Sequence, residues 1–115
     1  MRNHIFEKIR KADAKSSKYS PKLTRMDGQL TKWAQTALYT CKIRENRVYP
    51  NIYQGSGRWT KLVSYEWFYI RLFEILGYKY TKGNDAPRGG AIGDYLKVSK
   101  TAVNAIVNLR IKEGR

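Results

Sequence analysis

The stretch Tyr65 to Leu76 (YEWFYIRLFEIL) constrains the fold of this chain more than any other. Wound as a helix, it sets Trp67, Phe68, Ile70, Leu72, Phe73, Ile75 and Leu76 almost all the way round its axis. A helix with so little polar face belongs at the centre of a core, or buries part of itself against a second copy. Its ends can be read too, with Ser64 as an N-cap and Gly77 as a stop. The rest of the chain must supply its cover.

Several segments offer that cover. Residues 1–15 suit a short basic helix whose apolar stripe is Ile5, Phe6 and Ile9, ringed by Arg2, Lys8, Arg10, Lys11 and Lys15. The run KSSKYSP, Lys15 to Pro21, breaks it. Leu30, Trp33, Ala34, Ala37, Leu38 and Cys41 recur at helical spacing and predict a second helix over about 27–41. From Lys42 to Trp59 the punctuation by Pro50, Gly55 and Gly57 reads as a loop. Val48, Tyr49, Ile52 and Tyr53 there allow one short hairpin. An aromatic-basic segment (Tyr78 to Lys82) and a turn-rich loop (Gly83 to Gly90) lead to two short helical stretches at the C-terminus. The expectation is a mostly α, small helical domain, with all 115 residues in one unit.

Charge says what such a domain would meet. Twenty-three Lys and Arg against nine Asp and Glu leave a net charge of +14, which favours a polyanionic partner. Residues 1–25 alone carry eight basic side chains, including Lys18, against Glu7 and Asp13. An arm lying along phosphates is built in that way. Cys41 is the only cysteine and His4 the only histidine, so neither an intrachain disulfide nor a cysteine zinc cage can form. The longest apolar run is broken by Arg71 and Glu74, and the N-terminus has no apolar signal core. No membrane role, and a cytoplasmic setting, are therefore expected.

Residues 92–107 (IGDYLKVSKTAVNAIV) carry the functional argument. Two short helices crossing around a small core need a small residue at the contact, which Gly93 supplies. Ile92, Leu96, Val98, Val103 and Ile106 fill the core positions, and Ser99 opens the second helix as its N-cap. Lys97 stands at the turn where glycine is usual, a departure that would strain a left-handed backbone. The exposed leading edge of the second helix would then carry Ser99, Lys100, Thr101, Asn104 and Asn108. These are residue types that read base edges in the major groove. No acidic residue falls between Val98 and Ile111, and Arg110 and Lys112 follow, placed for phosphates.

This stretch resembles the helix-turn-helix superfamily over about 91–110, and KTAVNAIVNLRIKEG is similar to the recognition helix and following turn of winged members. Those members continue into a hairpin wing; here the sequence ends at Arg115, so either none is needed or this is the N-terminal part of a longer protein. The run Asn84 to Gly90 (NDAPRGG), followed by Gly93-Asp94-Tyr95, resembles a segment of small phage and phage-satellite proteins. Some of these are DNA-binding parts of homing endonucleases, replication initiators or repressors. The glycines and Pro87 would form a tight loop whose amides approach an anion, with Arg88 projecting from it.

Catalysis finds little to work with. One histidine, one cysteine and scattered acids give no triad or metal cage, although Asp85 and Asp94 could share a cation. Gly55-Ser56-Gly57-Arg58 lacks the lysine and spacing of a phosphate-binding P-loop. The sequence therefore reads as a non-enzymatic binder of a specific duplex DNA at an origin or operator in a bacterial host. Its base contacts would be Ser99, Lys100, Thr101, Asn104 and Asn108. Its phosphate contacts would be Arg10, Lys11, Lys15, Lys18, Arg88, Lys97, Arg110 and Lys112. Dimerisation, which multiplies half-sites, is expected; a cofactor, metal or small-molecule substrate is not. The rival readings are an RNA-binding protein, for which Tyr49, Tyr53, Arg58, Trp59 and Lys61 supply stacking partners, and a basic inhibitor of an acidic protein.

Overall fold

The computed structural model describes residues 8–9, 11–12, 22–25 and 29–112, and the statements below concern those residues. Helix α1 spans Lys32–Thr40 and is followed by a hairpin of β1 (Lys42–Arg44) and β2 (Arg47–Tyr49). A second hairpin, β3 (Asn51–Gln54) and β4 (Lys61–Ser64), leads into α2 (Glu66–Leu76). Strands β5 (Tyr80–Asn84) and β6 (Asp94–Val98) then precede α3 (Lys100–Lys112). Four strands form one antiparallel sheet in the order β1-β2-β6-β5, while β3 and β4 pair only with each other.

The fold is therefore α+β, which corrects the expectation of a mostly helical domain. The largest revision falls on 91–98. The first helix of the expected helix-turn-helix is a short 3-10 turn (Ala91–Gly93) followed by strand β6. In the sequence DYLKV the side chains alternate: Leu96 and Val98 are buried, while Lys97 is exposed. That period of two is what a half-buried strand requires. The same apolar residues fit a helical spacing only because the segment is short. Lys97 stands in extended strand, not in a left-handed turn. Gly93 is buried for another reason, since a Cβ there would come within 2.5 Å of the Ala86 backbone nitrogen. Ile92 leaves the core and is partly exposed.

Two hairpins stand where a loop with one short hairpin is expected, and β5 takes up most of the aromatic-basic segment and the start of the turn-rich loop. Pro50 sits at the junction of β2 and β3, where its missing N–H ends one ladder. Its carbonyl accepts from the Tyr65 amide at 2.7 Å.

The helices behave closer to expectation. Helix α1 begins later than predicted, at a cap where the Ala34 amide donates to the Thr31 hydroxyl at 3.2 Å. Helix α2 buries Phe68, Tyr69, Leu72 and Phe73. Ser64 contributes at its start by accepting from the Glu66 amide at 3.3 Å, although Tyr65 holds the capping position. Gly77, at φ 79°, closes α2. The Tyr78 and Gly77 amides donate to the Phe73 and Glu74 carbonyls, the paired bonds of a Schellman end.

One core unites these parts. Ala34, Ala37 and Leu38 of α1 meet the α2 residues, Ala102, Ile106 and Leu109 of α3, and Val48, Leu96 and Val98 of the sheet. Ile9, in a helical N-terminal piece, joins them. Arg110 fastens α3 to the end of α1: its Nε donates to the Leu38 carbonyl at 2.6 Å and its Nη2 to the Cys41 carbonyl at 2.9 Å. These carbonyls lie at a helix C-terminus, where a cation is favoured. The helices thus cover one face of the four-stranded sheet; on the other, Tyr49 is buried beside β3 and the β5–β6 loop while Lys42, Arg44 and Lys97 are exposed.

Candidate nucleic-acid interface

Register decides what the outer face carries. Val48 pairs with Leu96 on the core side, so their neighbours Arg47 and Lys97, also paired, stand on the outer side. Across β1 the partners are Lys42 with Tyr49 and Arg44 with Arg47. Across β5 they are Thr81 with Lys97 and Gly83 with Tyr95. The outer face thus gathers four cations, Lys42, Arg44, Arg47 and Lys97, around two tyrosines.

Those tyrosines organise the charges. Tyr95 lies across the strand over Gly83, where any Cβ would come within 2.5 Å of its ring. The Arg47 guanidinium stacks on that ring, 4.4 Å from its centroid, and Tyr49 packs at its side at 5.8 Å. Asp85 brings one carboxylate to this cluster. It accepts from the Tyr49 hydroxyl and pairs with Arg47 at 3.4 Å. The bond to Asp85 raises the Tyr49 phenol above its usual range. The face therefore remains strongly positive, with its carboxylate already engaged.

The residues singled out from the sequence fall into distinct places. Ser99, Lys100, Thr101, Asn104 and Asn108 are all exposed, and Lys100, Asn104 and Asn108 succeed one another at four-residue intervals along α3. Ser99 does cap that helix, its hydroxyl accepting from the Ala102 amide at 3.2 Å. Lys97 belongs to the sheet face, and Arg88 is exposed at the tip of the β5–β6 loop. Arg110 is half-buried as the α1–α3 clasp, not turned to solvent. Lys11 is exposed on the N-terminal helical piece. Arg10, Lys15 and Lys18 lie outside the described residues, as does the Lys112 side chain.

No family model, curated protein or solved structure matches this chain.

The anion cradle expected of the Gly-rich loop is largely filled from within. The Asp85 amide donates to Gly93, Gly89 to Ala86, Gly93 to Gly90, and Ala86 to the Asn84 side chain. Asp85 and Asp94 do not converge on a shared cation position: Asp94 accepts from Asn84 at 2.7 Å, and Asp85 faces Tyr49 and Arg47. Among the described residues no group of three or more His, Cys, Asp or Glu could hold a metal ion. Among them, too, no helix is long and apolar enough to cross a membrane.

Lys42, Arg44, Arg47, Tyr49 and Tyr95 were missed as a group by sequence reasoning. The signal was present in KIRENRVY, where cations and Tyr49 alternate with Ile43 and Val48 about a two-residue Glu45-Asn46 turn. Glu45 adopts φ 56°, a conformation costly for a side chain of its kind, and so the turn hides from residue preference.

Proposed function

We propose that this protein binds double-stranded DNA by laying the outer face of its four-stranded sheet against the major groove. The observation that carries this reading is the clustering of Lys42, Arg44, Arg47 and Lys97 on the one sheet face that the helices leave uncovered. A two-stranded antiparallel ribbon fits the major groove as a helix does, and the β1–β2 hairpin at the edge of this sheet is such a ribbon. Its cations neutralise phosphates at the groove edges, while arginine pairs with guanine inside it. The exposed stripe of α3, with Lys100, Asn104 and Asn108, lies in the helix layer, turned away from that face, and is a separate exposed surface. A mobile-element protein marking an origin or operator, working as a dimer on repeated half-sites, is the setting this reading favours.

Selection of binding sites from random duplex DNA tests it, followed by Arg44→Ala, Lys97→Ala and Asn104→Ala on the selected site. The sheet variants should each cost about 1–3 kcal/mol in binding. If both sheet variants bind the selected site as well as the parent does, this interface is wrong.

A second reading rests on one observation: Trp59 is 77 % and Tyr53 62 % exposed on the β3–β4 hairpin, next to Arg58 and Lys61. Such aromatics stack on unpaired bases. Tighter binding to single-stranded DNA or RNA than to duplex, lost in Trp59→Ala, would favour it.

A further inference from the structure

The β3–β4 hairpin has two unlike faces. Ile52 and Val63, paired across it, pack against the core. Their neighbours Tyr53 and Leu62, also paired, therefore stand on the opposite face, and both are exposed. Trp59, the most exposed large apolar residue among those described, sits at the hairpin's tip in a tightly built turn. Its amide donates to the Ser56 carbonyl at 3.1 Å, and the Thr60 amide and hydroxyl both donate to the Gly57 carbonyl, at 3.3 and 2.8 Å. Gly55, at φ 116°, lies so close that a Cβ would come within 2.6 Å of the Trp59 carbonyl oxygen. The turn thus fixes the backbone that presents the indole. An indole, a phenol ring and a leucine grouped on one hairpin exceed the singly scattered apolar residues of an ordinary surface.

The charge around these rings says what covers them. No acidic residue falls between Glu45 and Glu66. Arg58 and Lys61 bracket the indole, and the Arg58 guanidinium lies 5.9 Å from its centroid. Exposed rings among cations, with no carboxylate beside them, suit bases joined by phosphates. An apolar protein surface would strip both cations of water without neutralising them. Leu62, the cross-strand partner of Tyr53, comes three residues after Trp59, so the two aromatics stand at most about 10 Å apart along the hairpin. That distance is about three nucleotide steps of one strand.

Position joins this surface to the sheet. A groove of about 430 Å³ is lined by Ile52 and Tyr53 from β3 together with Lys42 and Arg44 from β1. Tyr53 is therefore the ring beside the sheet cations, and Trp59 the ring at the tip beyond it. We infer that the protein recognises the junction between duplex and single-stranded DNA. The sheet face holds the paired part, while Tyr53 and Trp59 stack about four nucleotides of the strand that leaves it. Lys42 and Arg44 keep their part in holding the duplex, and Arg58 and Lys61 meet the phosphates of the unpaired strand. The inference rests on the duplex reading above and adds the form of the DNA: a fork or opened site in place of an uninterrupted helix.

Equilibrium binding of the full chain to three DNAs tests it: a blunt duplex, the same duplex with unpaired arms of about four nucleotides, and the corresponding single strand. The forked DNA should bind about tenfold to a hundredfold more tightly than the blunt duplex. Trp59→Ala and Tyr53→Ala, both at exposed positions, should each remove about fivefold or more of that advantage and leave blunt-duplex binding unchanged. Trp67→Ala, at an exposed indole on α2, should leave the advantage intact. Equal binding of blunt and forked DNA by the parent overturns the inference, as does an advantage that survives in both aromatic variants. Tighter binding of the single strand than of the fork overturns it too. Lys97→Ala keeps this inference apart from the duplex reading, because it should weaken blunt and forked DNA alike. If it changes neither, while the aromatic variants still abolish the preference for the fork, the sheet face is the part that is wrong and the hairpin keeps its assignment.

Discussion

Gly83 and Gly90 lie seven residues apart in the same stretch of chain and have opposite reasons to be glycine. A Cβ at Gly83 would collide with Tyr95, the ring that supports Arg47, whereas one at Gly90 would meet nothing within 4 Å. Gly83→Ala should therefore cost about 1–3 kcal/mol in urea unfolding and also weaken nucleic-acid binding, and Gly90→Ala should do neither. Cys41 is a different kind of residue problem. Burial pushes its pKa from the ordinary 9.0 to about 11, outweighing the favourable bond with Tyr69 and the field of Arg110. The folded state thus keeps its proton where the unfolded chain would release it. The stabilisation is complete below pH 9 and is lost as pH rises toward 11. By pH 11 the loss attributable to this thiol should reach about 2–3 kcal/mol, and Cys41→Ala should flatten that part of the stability curve measured by denaturant titration. In the native protein at pH 8 a thiol reagent should scarcely react with it.

Among the elements, helices were legible in the sequence and strands were not. Helix α2 announced itself because Phe68, Leu72 and Phe73 repeat at its own period and Gly77 supplies a left-handed stop. Strands of three to five residues offer only two or three alternations, too few to distinguish from chance. β6 shows the consequence, since Leu96 and Val98 satisfy a helical core pattern as readily as a strand's. The candidate site suffered most, because its cations come from three strands whose register no local pattern encodes. Ser99 and the exposed residues of α3 were legible because a cap and a helical stripe are local features. Ser99→Ala should cost about 1 kcal/mol, measured by thermal unfolding. Arg110→Ala should cost more, roughly 2–3 kcal/mol, by leaving the Leu38 and Cys41 carbonyls without their charged donor. Arg110→Lys should recover only part of that loss, because one ammonium cannot span both carbonyls as a guanidinium does.

At the scale of the whole molecule the net charge of +14 guarantees some affinity for any polyanion, so affinity alone says little about the interface. Salt dependence is more discriminating. If Lys42, Arg44, Arg47 and Lys97 each neutralise one phosphate, the logarithm of the duplex binding constant should fall with log salt at a slope of roughly −3 to −4. Removing any one of the four should reduce that slope by about 1, and a slope unchanged in all four variants would place the contacts elsewhere. The sheet order has a further consequence, in time and not in space. Its two central strands, β2 and β6, join Val48 to Leu96, which are 96 − 48 = 48 residues apart. During synthesis β2 emerges long before its inner neighbour exists, and until β6 arrives its amides on that side have no strand to pair with. Closure of the sheet waits for β6, which slows folding and leaves a sticky edge in the nascent chain. A premature stop anywhere before Asp94 would remove a central strand of the sheet. Such products should be cleared by proteases as unfolded chains, with no shortened but functional form surviving.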